Sequence, residues 1–422
     1  MCEMRQCVSL VGIGMGSRQS MTEEAIGAIL SCDCMIGAQR MLDSAREIRR
    51  DRQPVPEFCE YDSDRILEII RNHPGCRSTA VLLSGDTGFY SGAKKLSEKL
   101  KEEAESCKVR MIPGISSVVC LAARLGTTWE DGAIVSLHGQ EENFIQTVAK
   151  NRKTFLLLGG RGAGARMLEQ LRYYGMDHVT VQIGSRLSYP EERIVSGHPG
   201  ELYDADADGL CVAMILNPDP DLRCTPHISD EEFIRGNVPM TKEEVRAVSL
   251  AQMKLTEDAV VYDIGAGTGS VSVEAARSGG RIRVYAVEKK AEAAELLEQN
   301  RKKFRADGIR IITGTAPEAL EGLEPPTHAF IGGSSGNLQE ILRVLREKNP
   351  AVRIVINAIS LETVGEVMDA VESGALKDAQ ITQVTAARSR ILGRYHMMTG
   401  QNPVYIISAG GEAPGNDGKE WG

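Results

Sequence analysis

At 422 residues the chain is too long for one ordinary domain and predicts two or three. Its 42% hydrophobic and 25% charged content is that of a globular enzyme, and no apolar run reaches the length of a membrane span. A net charge of −9 argues against general nucleic-acid binding, which needs a basic face, but leaves room for an anionic small substrate held by a few local Arg and Lys. The opening MCEMRQCVSLVGIG has no signal-peptide layout, so a cytoplasmic protein is expected. The ten cysteines all lie between Cys2 and Cys224 without paired C-x-x-C spacing, and the seven histidines are scattered. They read as reduced thiols and isolated imidazoles, and no metal site is expected.

In chain order, CVSLVGIG (7–14) predicts a strand ending in a glycine turn. MTEEAIGAIL (21–30) predicts a helix, with Ser20 or Thr22 as its cap. Further strands are predicted at TAVLLSGD (79–86), VRMIPGISS (109–117), GAIVSLHG (132–139), TFLLLGG (154–160), VTVQIGSRL (179–187) and CVAMILN (211–217). Several are short continuous apolar runs, the pattern of strands buried on both faces of a mostly parallel sheet. NPDPDLRCTPHISDEEF (217–233) is the expected linker. Beyond it, TKEE predicts a helix start with Thr241 as N-cap. The strand-like runs VVYDIG, RVYAVE, IRIITG, HAFIGG, RIVINAI, ITQVTAA and PVYIIS follow, with helical stretches between them. The divisions are therefore 1–216, a linker at 217–234, 235–410, and a polar tail at 411–422 that reads as disordered.

The densest chemistry is in AVVYDIGAGTGSVSVEAA (259–276) followed by RVYAVEK (283–289). A buried strand ends in Asp263. The turn Gly265-Ala266-Gly267-Thr268-Gly269 follows, then a helix, then a second strand ending in Glu288. Glycines let a backbone approach a ligand and turn tightly, and an acid about 20 residues on suits a ribose diol. Ser270 stands where a dinucleotide loop usually has its third glycine. This favours S-adenosylmethionine (SAM) over NAD, with a purely structural turn as the bland alternative. In the first half, SGDTGFYS (84–91) also joins a buried strand to a helix. There a capping turn, with Asp86 or Ser91 as cap, is as good a reading as a ligand loop.

Four pieces, VGIGMGS (11–17), SGDTGFYS (84–91), IPGISS (112–117) and GSRLSYPEERIV (184–195), together resemble the tetrapyrrole (corrin and precorrin) methylases, the class III methyltransferases, and their CbiE branch in particular. The likeness covers roughly residues 5–215. It departs at Met15, where the family usually carries proline. It implies two α/β lobes and SAM contacts at Gly85, Asp86, Phe89, Ile115 and Ser116, with backbone contacts from Leu137 to Gly139 and from Leu158 to Gly160. VPMTKEEVRA (238–247), the Gly265–Gly269 loop, GTAPEAL (314–320) and FIGGSSGNLQEIL (330–342) resemble CbiT, a class I Rossmann-like methyltransferase. That likeness places Thr241 at the methionine end of SAM, Gly265 to Gly269 around its sulfonium and amino-acid portion, Glu288 on its ribose and Ala316 along its adenine. GGSSG (332–336) would face substrate.

The order of the halves implies an α/β protein with one SAM per domain, acting on a precorrin or cobalt-precorrin in cobalamin biosynthesis. The N-terminal half would methylate C5. The C-terminal half would methylate C15 and remove carbon dioxide from the C12 acetate, converting (cobalt-)precorrin-6B to (cobalt-)precorrin-8. Arg388, Arg390 and Arg394 either anchor substrate carboxylates or form a solvated patch. No general acid or base is assigned. A homo-oligomer without nucleic-acid or membrane partners is expected. An NAD-dependent oxidoreductase and a non-catalytic SAM sensor are the alternatives.

Overall fold

The structure, a computed structural model, describes residues 6–102, 107–137, 143–160, 162–207 and 209–411. The chain divides into two compact units: Met1–Glu142, Asn151–Arg172 and Met176–Asp219 in the first, and Asn143–Lys150, Tyr173–Gly175 and Pro220–Gly422 in the second. Among the described residues no helix is long and apolar enough to cross a membrane. All of the predicted tail beyond Gly411 and the predicted contacts at His138 and Gly139 lie outside the described residues.

The first unit holds two five-stranded sheets. Strands β1 (Gln6–Gly12), β2 (Cys34–Gly37), β3 (Glu57–Cys59), β4 (Ser78–Leu83) and β5 (Cys107–Ile112) form an all-parallel sheet ordered β3-β2-β4-β1-β5. Its side chains alternate with period two. Val8 and Leu10 pack with Ile66, Ile70, Leu96 and Leu100 from helices Ser63–Asn72 and Ala93–Glu102. Val11 and Ile13 pack with Ala25, Ile29 and Leu42 from helices Glu23–Ser31 and Gln39–Arg49. Thr22 is the cap of the first of these, its hydroxyl accepting Ala25 N at 3.1 Å.

The second sheet contains β6 (Ala133–Ser136), β7 (Lys153–Leu158), β8 (Thr180–Ser185), β9 (Arg193–Gly197) and β10 (Cys211–Leu216), ordered β6-β7-β10-β8-β9. Only β6 and β7 run parallel. The expectation of a mostly parallel arrangement therefore fails for this sheet. A continuous apolar run reports burial on both faces and says nothing of direction, which here follows from the short connection joining β8 to β9. The short strands β2, β3 and β9 had no strong sequence signal.

In the second unit, β11 (Val260–Ile264), β12 (Arg283–Glu288), β13 (Ile309–Thr313), β14 (His328–Ile331), β15 (Arg353–Ala358), β16 (Gln380–Val384) and β19 (Val404–Ala409) form one sheet ordered β13-β12-β11-β14-β15-β19-β16. The first five are parallel and β19 is antiparallel to both its neighbours. Between β16 and β19 lies an unexpected hairpin, β17 (Ala387–Leu392) with β18 (Tyr395–Gly400). The segment read as a linker is packed at its end: Ile228, Asp230 and Phe233 are buried. The guanidinium of fully buried Arg246 donates to Asp230 at 3.1 Å and to Glu274 at 2.7 Å, and lies 4.9 Å from the Phe233 ring. The following helix is Glu243–Met253, capped by Lys242 rather than Thr241. Thr241 instead offers its carbonyl to Arg246 Nη1 at 2.8 Å, so its backbone is outside the helix.

Candidate functional site

Each unit has a pocket at the carboxyl ends of its parallel strands, where open α/β sheets leave ligand crevices. In the second unit, the loop after β11 adopts left-handed backbone at Gly265 (φ 77°), Gly267 (φ 56°) and Gly269 (φ 79°), so the alternation of glycines is a geometric requirement. A Cβ on Gly265 would stand 2.9 Å from Gly333 N and O, and one on Gly267 2.9 Å from Pro239 O. The loop is thus clamped between the Val238–Pro239 segment and the glycine-rich turn after β14.

The cavity above it has a volume of about 600 Å³, within the range of small-molecule sites. Of the predicted residues, Thr241, Gly265, Ala266, Gly267, Glu288 and Ala316 line it, as do Gly332 to Ser335. Thr268 and Gly269 do not. Thr268 is fully buried and its carbonyl is held by Asn300 Nδ2 at 2.9 Å, while Gly269 caps helix Ser270–Arg277. These two shape the turn from beneath. Glu288 is 7% exposed, and its two oxygens accept Gly267 N and Lys290 N, both at 2.9 Å. The carboxylate is therefore fixed at the edge of the cavity and braces the loop. Lys242, Lys289, Lys290, Asn357, Gln401 and Asn402 also line the cavity and were not among the predicted site residues. Asn357 arrives at the tip of β15 and the last pair follows the hairpin, so only the sheet order brings them here.

Asp263, at the end of β11, is fully buried. Its Oδ2 accepts the Ser272 hydroxyl and its Oδ1 has no hydrogen-bond partner. Burial pushes its carboxyl up to about 6, against the lowering effect of Ser272, with the nearby Glu288 adding to the rise.

The first unit builds its pocket from four separate loops. Gly14 and Gly85 exchange backbone hydrogen bonds at 3.1 and 2.8 Å, tying the turn after β1 to the turn after β4. Asp86 accepts Gly88 N at 2.8 Å and Gly114 N at 3.0 Å, so it clamps its own loop to the turn after β5. It is not the cap of helix Ala93–Glu102; Ser91 accepts Ala93 N at 3.2 Å. A Cβ on Gly114 would fall 2.2 Å from Gly85 O and 2.7 Å from Gly12 O. A Cβ on Gly16 would fall 2.3 Å from the Tyr189 hydroxyl, which brings the first and fourth motifs together.

This cavity is smaller, about 200 Å³. Gly85, Asp86, Phe89 and Ser116 line it, as do Met15 and Leu158. Ile115 does not, and is 36% exposed. Ser116 also caps helix Ser117–Arg124 through Val119 N. Arg40, which stands in no motif, and Arg186, from the GSRLSYPEERIV piece, also line the cavity and were not predicted as site residues. Arg388, a candidate substrate anchor, is instead bound to Glu243 at 2.9 Å and to Glu244, which hold it charged well above the usual guanidinium range. Arg390 and Arg394 lie on the exposed hairpin.

Comparison with known proteins divides the chain as the pockets do. Residues 8–203 match the model for tetrapyrrole (corrin/porphyrin) methylases, and residues 232–409 match that of the precorrin methyltransferase domain. A probable cobalt-precorrin-6B C(15)-methyltransferase (decarboxylating) of Pyrobaculum calidifontis is 43% identical over 44% of this chain and 96% of its own length. The chain belongs to the precorrin methyltransferases. A second relative, the precorrin-6Y C(5,15)-methyltransferase [decarboxylating] of a Sinorhizobium species, is 25% identical over 95% of both chains. A solved structure titled precorrin-6Y C5,15-methyltransferase, from Geobacter metallireducens, is 36% identical over 43% of this chain and 97% of its own, with a TM-score of 0.41. Membership makes the chain a methyltransferase and implies SAM as its methyl donor.

Proposed function

We propose that the chain carries out two SAM-dependent methylations on one tetrapyrrole. The N-terminal domain, 1–216, acts at C5. The C-terminal domain, 235–410, acts at C15 with loss of carbon dioxide from the C12 acetate. The observation that carries this reading is the presence of two separately built strand-end pockets in one chain that aligns end to end with a C(5,15)-methyltransferase. The C-terminal pocket fits SAM by its size, its backbone-lined floor at Gly265 to Gly267 and its fixed acid Glu288.

Bound SAM supplies an electrophilic methyl group, so the protein has mainly to align donor and acceptor. Glu288 would accept the ribose hydroxyls through the lone pairs its two backbone bonds leave free. Without side chains, Gly265 and Gly267 let the loop close against Gly333 and Pro239, and its backbone would form the floor beside the sulfonium. Thr241 and Ala316 would flank the cofactor's two ends, and Gly332 to Ser335 would meet the macrocycle. In the N-terminal domain Gly85, Asp86, Phe89 and Ser116 would take the corresponding part, which gives one SAM per domain. The substrate is a precorrin or its cobalt complex, and the setting is cytoplasmic. We also propose a homo-oligomer built through the hairpin, where Ile391, Leu392, Tyr395 and Met398 are more than half exposed.

The test is incubation of the full chain with methyl-labelled SAM and (cobalt-)precorrin-6B, followed by mass spectrometry. Two labelled methyl groups gained and one carbon dioxide lost per ring is the expected result. A single methylation, with both pockets binding S-adenosylhomocysteine, would overturn the two-reaction reading.

A further inference from the structure

The acidic chain must hold a substrate whose acetate and propionate arms are themselves anionic, so local cations have to offset the general repulsion. In the N-terminal pocket two arginines are placed for this. Arg40 comes from helix Gln39–Arg49 and is half-buried. Its Nη1 donates to the Tyr189 hydroxyl at 2.7 Å and its Nη2 to the Ser84 hydroxyl at 2.9 Å. Both partners are neutral. They fix the plane of the guanidinium at the pocket wall without cancelling its charge, and leave its remaining N–H groups for a ligand.

The buried arginines of the chain are met in both ways: Arg246 lies between Asp230 and Glu274, whereas Arg49 and Arg353 donate to backbone carbonyls. Among the described residues, neither Arg40 nor Arg186 is paired with a carboxylate. Among the described residues the only acid lining the cavity is Asp86, and both its oxygens accept backbone N–H groups. Arg40 differs from Arg49 and Arg353 in lining a cavity, so a ligand carboxylate can reach its free N–H groups and offset the cost of its partial desolvation.

Arg186 lines the same cavity from the turn after β8. Its backbone is left-handed (φ 47°), as is that of Ser188 (φ 71°), and both are unusual for residues other than glycine. The turn is held by Glu192, whose carboxylate accepts Ser188 N at 2.6 Å while paired with Arg124. The turn therefore places Arg186, an exposed residue, as a second cation on the wall of the pocket that already holds Arg40.

We propose that Arg40 and Arg186 form a carboxylate-binding subsite that grips an acetate or propionate arm of the tetrapyrrole during the first unit's methylation. Arg40 acts as a planar fork and Arg186 as the second charge. This rests on the reading that the N-terminal domain methylates a tetrapyrrole.

The test compares the full-length wild type with Arg40→Gln and Arg186→Gln. The readouts are C5-methylation kinetics on (cobalt-)precorrin-6B and calorimetric affinity for S-adenosylhomocysteine. Each variant should raise KM for the tetrapyrrole about tenfold or more, with kcat changed less than threefold and S-adenosylhomocysteine affinity within twofold. Should Arg40→Gln fail to fold, as judged by its melting curve, exposed Arg186→Gln alone decides. Loss of S-adenosylhomocysteine affinity with an unchanged KM for the ring would overturn the proposal by assigning the cations to the cofactor's own carboxylate. Unchanged values of both would reduce Arg40 to a structural tie between Tyr189 and Ser84. A wild type that binds the cofactor but never methylates C5 would sink the functional reading itself; wild-type turnover with unaltered variants would sink only the subsite.

Discussion

The two pockets solve one problem with different amounts of local sequence. In the C-terminal unit a single strand–turn–helix–strand stretch supplies the floor and the acid: Gly265, Ala266, Gly267 and Glu288 all fall within 264–288. In the N-terminal unit the floor is assembled from turns after β1, β4, β5 and β8, which meet only when the sheets form. The first design depends on one loop's backbone angles, and the second on contacts between loops distant in sequence. The first should therefore fail by local strain, and the second by separation of its parts.

Glycine substitutions break the comparison most sharply. Gly265→Val should abolish C15 methylation and decarboxylation while C5 methylation persists, because a side chain at φ 77° would drive into the Gly333 backbone. Gly114→Ala should do the reverse, since its methyl group would fall 2.2 Å from Gly85 O and 2.7 Å from Gly12 O. Product masses for each variant check this. Loss of both activities in a folded single variant would show that the sites are not independent.

The acids at the strand ends sharpen it next. Asp86 is clamped by two backbone donors, whereas Asp263 is buried with one oxygen unpartnered. Because the carboxyl of Asp263 is raised in the folded protein, the native state binds more protons than the unfolded chain between pH 4 and 6. Its contribution to stability is present below pH 4 and is lost as pH rises through about 6. Asp263→Asn does not titrate there. Its stability relative to the wild type should rise by roughly 2–3 kcal/mol between pH 4 and pH 7. Urea midpoints across that range measure the difference, and a flat difference would remove Asp263 from the pH dependence.

Glu288→Ala should weaken S-adenosylhomocysteine binding at the C-terminal pocket by tenfold or more, through loss of about 1.5–3 kcal/mol of charged hydrogen bonding. Calorimetry on a Gly114→Ala background isolates that site. Unchanged affinity would leave Glu288 as a brace for the Gly267 loop and nothing more. The smallest effect is expected at Arg388→Ala. Its ion pairs with Glu243 and Glu244 are partly exposed, so stability should fall by about 1 kcal/mol or less, and KM for the tetrapyrrole should stay within threefold. A larger rise in KM would restore Arg388 to the substrate site.

Local pattern was enough to read most strands, to narrow the first helix's cap to Ser20 or Thr22, and to place the three glycines of the β11 turn and Glu288 one strand later. Each is fixed by backbone angles or by spacing along a few neighbouring residues. The family likeness added Gly85, Asp86, Phe89 and Ser116 before any contact between their loops was known. Only the tertiary structure decided the rest. It turned β8, β9 and β10 antiparallel, inserted the hairpin, packed Phe233 under Arg246 and withdrew Arg388 into ion pairs with Glu243 and Glu244. It also set Arg40 between Tyr189 and Ser84, 149 and 44 residues away. An arginine on an amphipathic helix carries the same charge wherever it lies, and whether a carboxylate or a ligand meets it depends on contacts that no local pattern encodes.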